Sequence, residues 1–205
     1  MNIKASIEEL TNNVKEEYKK KLDNFKDMKD DSKIIRGHLS SMSTAIENAI
    51  ALFVQNITSK KYKIFLDPSI SISANKGRSK TYRPDLLLVD SKHRVKAILE
   101  IKANMGYCRN VGQTLSKLNK LHKIFLKEKN LDCSFSQLKD HISVTYCVPN
   151  KNLFLVAFTS QNDGGKSQKI KKSIKNIFRL FKNWYDNPQN QDIEKFAYKI
   201  RQIAK

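Results

Sequence analysis

The sequence predicts a mixed α/β domain in which a mixed sheet of about five strands is flanked by helices. Three observations carry that expectation. Apolar residues recur at spacings of three and four within long polar segments, as they do on helices that bury one face. Other segments are short apolar or alternating runs, as in strands. Pro68, Pro149 and Gly164-Gly165 punctuate the boundaries between them.

Taken in order, residues 4–30 carry Leu10, Val14, Tyr18, Leu22, Phe25 and Met28 as one narrow stripe on a charged helix. Ser43 and Thr44 can cap a second helix, Ala45 to Ile57, apolar on most faces and so expected to be buried. Lys61–Ile72 reads as strand, with Pro68 marking an edge or a bend. Asn75–Lys80 is a basic loop, followed by two strand-like runs, Arg83–Asp90 and Val95–Ala103. After Gly106 the pattern is helical again, with Leu115, Leu118, Leu121 and Phe125 on one face. His141–Val148 and Asn152–Thr159 read as strands joined at Pro149-Asn150. A last long helix is expected after Gly165, its face made by Ile170, Ile174, Ile177, Phe178, Phe181 and Trp184 and its end set by Pro188. The chain then divides into a helical arm (1–40), a core (41–160) and a basic helical segment (161–205) of a single domain.

Composition narrows the function. Among 205 residues, 39 Lys and Arg face 20 Asp and Glu, a net charge of +19. Such an excess speaks of polyanionic partners, nucleic acid before a membrane surface. No apolar run approaches the roughly 20 residues that span a bilayer, and no signal peptide is visible. Three cysteines without a CxxC pair, and four scattered histidines, argue against a zinc site or a disulfide framework. A reducing cytoplasm is the expected compartment.

The chemistry is concentrated in YRPDLLLVDSKHRVKAILEIK. Side chains two apart on a strand share a face, so Glu100 and Lys102 point one way while Leu99 and Ile101 point into the core. If the hairpin sets Asp90 opposite Val95, Asp85 faces Glu100 with Cβ atoms about 5 Å apart. Two carboxylates so close repel unless a cation lies between them. Hard oxygen donors of this kind suit magnesium, which lowers the pKa of bound water and neutralises phosphodiester charge. Lys102 is placed to orient the water or to stabilise the extra phosphate charge.

Pro84-Asp85 followed by Glu100-Ile101-Lys102 resembles the PD-(D/E)xK motif of the restriction-endonuclease-like nuclease superfamily. The order of elements over residues 40–160 is similar too. The resemblance implies a restriction-endonuclease-like core in which Asp85, Glu100 and the carbonyl of Ile101 hold the metal and Lys102 is the catalytic lysine. Many members place a Glu on the preceding helix and a Gln on the following one, where Glu47 and Gln113 fall. The implied activity is magnesium-dependent hydrolysis of double-stranded DNA, with Mn2+ able to substitute, and a type II restriction enzyme is the first expectation. Symmetric cutting by so small a domain implies a homodimer, with the striped N-terminal helix as the candidate interface. A junction resolvase or repair nuclease of the same fold, and a non-catalytic nucleic-acid-binding protein, are the alternatives.

The basic residues divide in two. Lys76, Arg78, Lys80, Arg83, Arg109, Lys117 and Lys120 flank the motif and, with the neutral Gln113, are the candidate DNA contacts. Residues 166–205 add eleven Lys and Arg against three acids, a solvated face or a non-specific grip on DNA. A strand, a loop ending Gly165-Lys166-Ser167 and a helix superficially offer a phosphate-binding loop. Ser160 stands where its first tight turn requires glycine, so no nucleotide cofactor is expected.

Overall fold

The computed structural model describes residues 2–31, 43–58, 60–72, 80–102, 113, 116, 130–134, 141–146, 153–159, 177–182, 189–190 and 192–204. Among them the order is α1 (Ile3–Asp31), α2 (Ser43–Ile57), β1 (Lys63–Leu66), β2 (Ser69–Ile72), β3 (Lys80–Tyr82), β4 (Leu86–Val89) and β5 (Arg94–Lys102). Then follow β6 (Asn130–Ser134), β7 (His141–Tyr146), β8 (Leu153–Thr159), β9 (Ile177–Lys182), β10 (Gln189–Asn190) and α3 (Ile193–Ile203). Helices and strands are mixed, as the sequence predicts.

β5 organises the sheet. It runs antiparallel to β4, with Leu86 opposite Leu99 and Leu88 opposite Ala97. On its other edge its first two residues pair with β7 and its last five with β8, both parallel. β7 and β8 therefore follow one another along β5 instead of forming a hairpin. β9 extends the sheet parallel to β8, and β10 pairs antiparallel with β9. Antiparallel partners continue from β7 through β6 and β2 to β3, while β1 pairs with β4. Among the described residues ten strands join where about five were expected. The additional ones are short, and a strand such as β3 carries too few residues for alternation to reveal it.

All four residues of β4, Leu-Leu-Leu-Val, are buried, as an interior strand covered on both faces requires. The turn that follows is three residues long. Asp90 N–H donates to the Arg94 carbonyl (3.0 Å), His93 N–H donates to the Asp90 carbonyl (3.0 Å), and His93 closes the turn with φ 57°. Asp90 thus faces Arg94 and not Val95 as expected. A bulge between Leu88 and Val89, with Lys96 as the extra residue on β5, restores the expected frame before Asp85 is reached. The Asp90 carboxylate locks the turn: Oδ1 accepts the N–H groups of Lys92 (2.9 Å) and Arg94 (3.0 Å), and Oδ2 accepts Arg94 Nε (2.7 Å). Burial pushes this carboxyl up, but the Arg94 guanidinium and the backbone N–H groups outweigh it and hold the pKa below the ordinary value.

Pro68 does separate two strands. Asp67, with φ 46°, bends the chain so that β1 stays beside β4 while β2 moves to β3 and β6. The predicted C-terminal helix is corrected over Ile177–Lys182. Ile177–Lys182, which fitted a helical face, forms β9, because a short run of Ile, Phe and Leu satisfies either periodicity and here fills a parallel position beside β8. Ile170, Ile174 and Trp184 of that face lie outside the described residues, and a described helix follows at α3, where Ile193, Phe196, Ala197 and Ile200 are buried at helical spacing.

The core forms where α1, α2 and α3 meet one face of β4 and β5. Leu86, Leu88, Ala97, Leu99 and Ile101 join Leu10, Val14, Ile50, Phe53, Phe196 and Ile200 in one cluster. Leu99 and Ile101 point inward as the alternation requires. Phe196 ties the layers together, its ring centroid 6.2 Å from Phe53 and 5.4 Å from Phe178. Leu10 and Val14 of the N-terminal stripe are each 2% exposed and lie in this cluster, and Asn56 Nδ2 donates to Glu9 Oε2 at 2.9 Å. That part of the stripe is spent on the chain's own core and not on a second subunit. The side chains of Leu22, Phe25 and Met28 lie outside the described residues.

Candidate active site

Asp85 stands just before β4, and Glu100 and Lys102 close β5, so the hairpin alone brings the motif together. Asp85 Oδ2 accepts the backbone N–H of Ile101 at 2.5 Å, a bond that spans the two strands. Glu100 is 2% exposed and its Oε1 accepts from Lys102 Nζ at 2.8 Å. The same ammonium donates to the Ile101 carbonyl at 3.2 Å and lies 3.8 Å from Asp85 Oδ2. Three groups named from the sequence as oxygen donors therefore surround one lysine nitrogen.

Glu47 enters from α2. Ile46 and Ile50 anchor that helix in the core and leave Glu47 half-buried. Burial first, then the negative charges of Asp85 and Asp67, push its pKa from 4.5 to about 7, with Lys102 acting the other way. Its electrostatic neighbours are thus Asp85, Glu100 and Lys102 of the motif, together with Asp67.

Asp67 is an acidic neighbour that the sequence reading did not single out. Leu66 pairs with Leu86, and one step on, Asp67 N–H donates to the Asp85 carbonyl at 3.1 Å. The available signal was the Asp-Pro at the end of a strand-like run, but only the β1–β4 pairing places it beside Asp85.

Of the candidate DNA contacts, Arg83 is exposed two residues before Asp85, and Lys80 opens β3. Gln113 is helical and exposed. Lys76, Arg78, Arg109, Lys117 and Lys120 lie outside the described residues.

Two carboxylates and a carbonyl suit a hard cation such as magnesium by donor chemistry. Among the described residues no group of three or more Asp, Glu, His or Cys side chains is placed to hold a metal ion, and the Ile101 carbonyl is an oxygen beside the two carboxylates. Also among the described residues, no helix is long and apolar enough to cross a membrane. The chain matches no family model, no curated protein and no solved structure. The functional reading therefore stands on the residues themselves.

Proposed function

We propose that the chain is a magnesium-dependent DNA endonuclease with a restriction-endonuclease-like core, acting in restriction. The observation that carries the reading is the convergence of Asp85, Glu100, the Ile101 carbonyl and Lys102 at the end of one hairpin, with Glu47 electrostatically coupled to them. A net charge of +19 supports a polyanionic substrate.

In this reading Asp85, Glu100 and the Ile101 carbonyl would hold magnesium, which would supply a water of lowered pKa and neutralise charge on the phosphate. Lys102 stabilises the negative charge that builds on the phosphoryl oxygens. Glu47, half-buried beside the motif, takes a proton from the attacking water. A bond forms from water oxygen to phosphorus, an ester P–O bond breaks, and the leaving oxygen takes its proton from solvent water. Asp85 keeps its orientation through the Ile101 N–H, so the carboxylate need not reorganise as charge develops. Arg83, with Lys76, Arg78, Lys80, Arg109, Lys117 and Lys120, supplies phosphate contacts on double-stranded DNA.

The test is incubation with plasmid and phage DNA in magnesium and in EDTA, beside Asp85→Ala and Lys102→Ala. Discrete fragments that require magnesium and vanish in both variants are expected. Binding of DNA with no nick or cut under any condition overturns the enzyme and leaves a nucleic-acid-binding protein.

A further inference from the structure

Lys102 stands at the centre of the cluster. Its Nζ meets Glu100 Oε1 at 2.8 Å, the Ile101 carbonyl at 3.2 Å and Asp85 Oδ2 at 3.8 Å. These are the oxygens that the nuclease reading gives to magnesium, so the ammonium and a divalent cation compete for one set of donors. An ammonium is a compact point charge, and here it donates to Glu100 Oε1 and the Ile101 carbonyl while pairing electrostatically with Asp85.

The partners differ in their freedom to move. Glu100 is 2% exposed on a strand paired along both edges, and Asp85 is tied to the Ile101 N–H. Lys102 is the last residue of β5, its side chain is 26% exposed, and four methylenes separate the charge from the backbone. When one member of the cluster must leave, the lysine is the one that can.

We infer that Lys102 is the resident counter-cation of the site and is drawn off by a phosphate of bound DNA, so that DNA and the divalent cation bind cooperatively through this side chain. The inference rests on the nuclease reading. With DNA absent, the ammonium occupies the donors and weakens cation binding. With DNA present, a phosphate gives the ammonium a new anionic partner and the donors become available. By linkage, each ligand then raises the affinity for the other by the same factor. The site would load its metal chiefly once the substrate has arrived.

Calorimetric titration with Ca2+ alone as the probe, on wild type and Lys102→Met, each with and without a short DNA duplex, tests this directly. Without DNA, Lys102→Met is expected to bind Ca2+ at least about tenfold more tightly than wild type. The duplex is expected to tighten Ca2+ binding in wild type by about tenfold more than in the variant. Lys102→Gln, equally uncharged, should behave in the same way, and circular dichroism melts establish that each variant is folded. Equal Ca2+ affinity of wild type and variants without DNA, or equal tightening by DNA in all of them, overturns the inference while leaving the metal site in place. If no form binds Ca2+ with or without DNA, the metal reading itself falls and the inference falls with it.

Discussion

The Asp85 carboxylate accepts the backbone N–H of Ile101, so the acid of the Pro-Asp pair is held by the strand that carries the Glu and the Lys. The bond separates two roles of one side chain. Asp85→Asn keeps an oxygen for the N–H and loses the charge, whereas Asp85→Ala loses both. Thermal melts should show Asp85→Asn close to wild type and Asp85→Ala lower by about 1–2 kcal/mol. Magnesium-dependent cleavage should fall in both by about three decades, the loss of several kcal/mol of transition-state stabilisation. An Asp85→Asn protein that cuts at the wild-type rate would remove Asp85 from the machinery.

Glu47 gives a pH dependence whose sign is fixed. Its pKa is raised in the fold to about 7, chiefly by burial and then by Asp85, against 4.5 when unfolded. The folded state binds the proton more tightly, so this group costs nothing below pH 4.5. Its penalty grows as pH rises from 4.5 to 7 and is complete above 7. Glu47→Gln should therefore melt higher than wild type at pH 8, by on the order of 1–2 kcal/mol after solvent screening. At pH 4 the two should coincide. A gain at pH 4 equal to that at pH 8 would place the cause in packing and not in charge.

Phe196 tests the corrected C-terminal architecture. Its ring is fully buried between Phe53 of α2 and Phe178 of β9. Phe196→Ala should cost about 3–5 kcal/mol, read as a fall in the denaturation midpoint. Tyr198, 64% exposed on the same helix, provides the control: Tyr198→Ala should change stability by less than about 0.5 kcal/mol. Equal effects would mean that α3 does not dock as described.

The hairpin was legible in the sequence because it is local. The buried run Leu86–Val89, the alternation through Leu99 and Ile101, and the short turn determine one another within about twenty residues, without help from the rest of the chain. The exact opposition of Asp90 was not legible, since a left-handed His93 and a bulged Lys96 shift the register and then restore it. Ile177–Lys182 was misread because a six-residue apolar run does not choose between helix and strand until a neighbour such as β8 is known. Asp67 was overlooked for a related reason: its place beside Asp85 follows from the pairing of β1 with β4, a non-local event. The N-terminal stripe announced a buried face, but nothing in its periodicity said whose surface would cover Leu10 and Val14.

β5 meets β4 along one edge and β7 and β8 along the other. Its amides should be among the last in the molecule to exchange with deuterium, because freeing them requires the centre of the sheet to come apart. Glu100 and Ile101 continue this strand one and two residues past its last pairing with β4, at Leu99, and remain paired with β8. Fitting the site to a bent or distorted substrate would then fall to side chains at its rim and to the substrate itself, while the spacing of the acids stays constant.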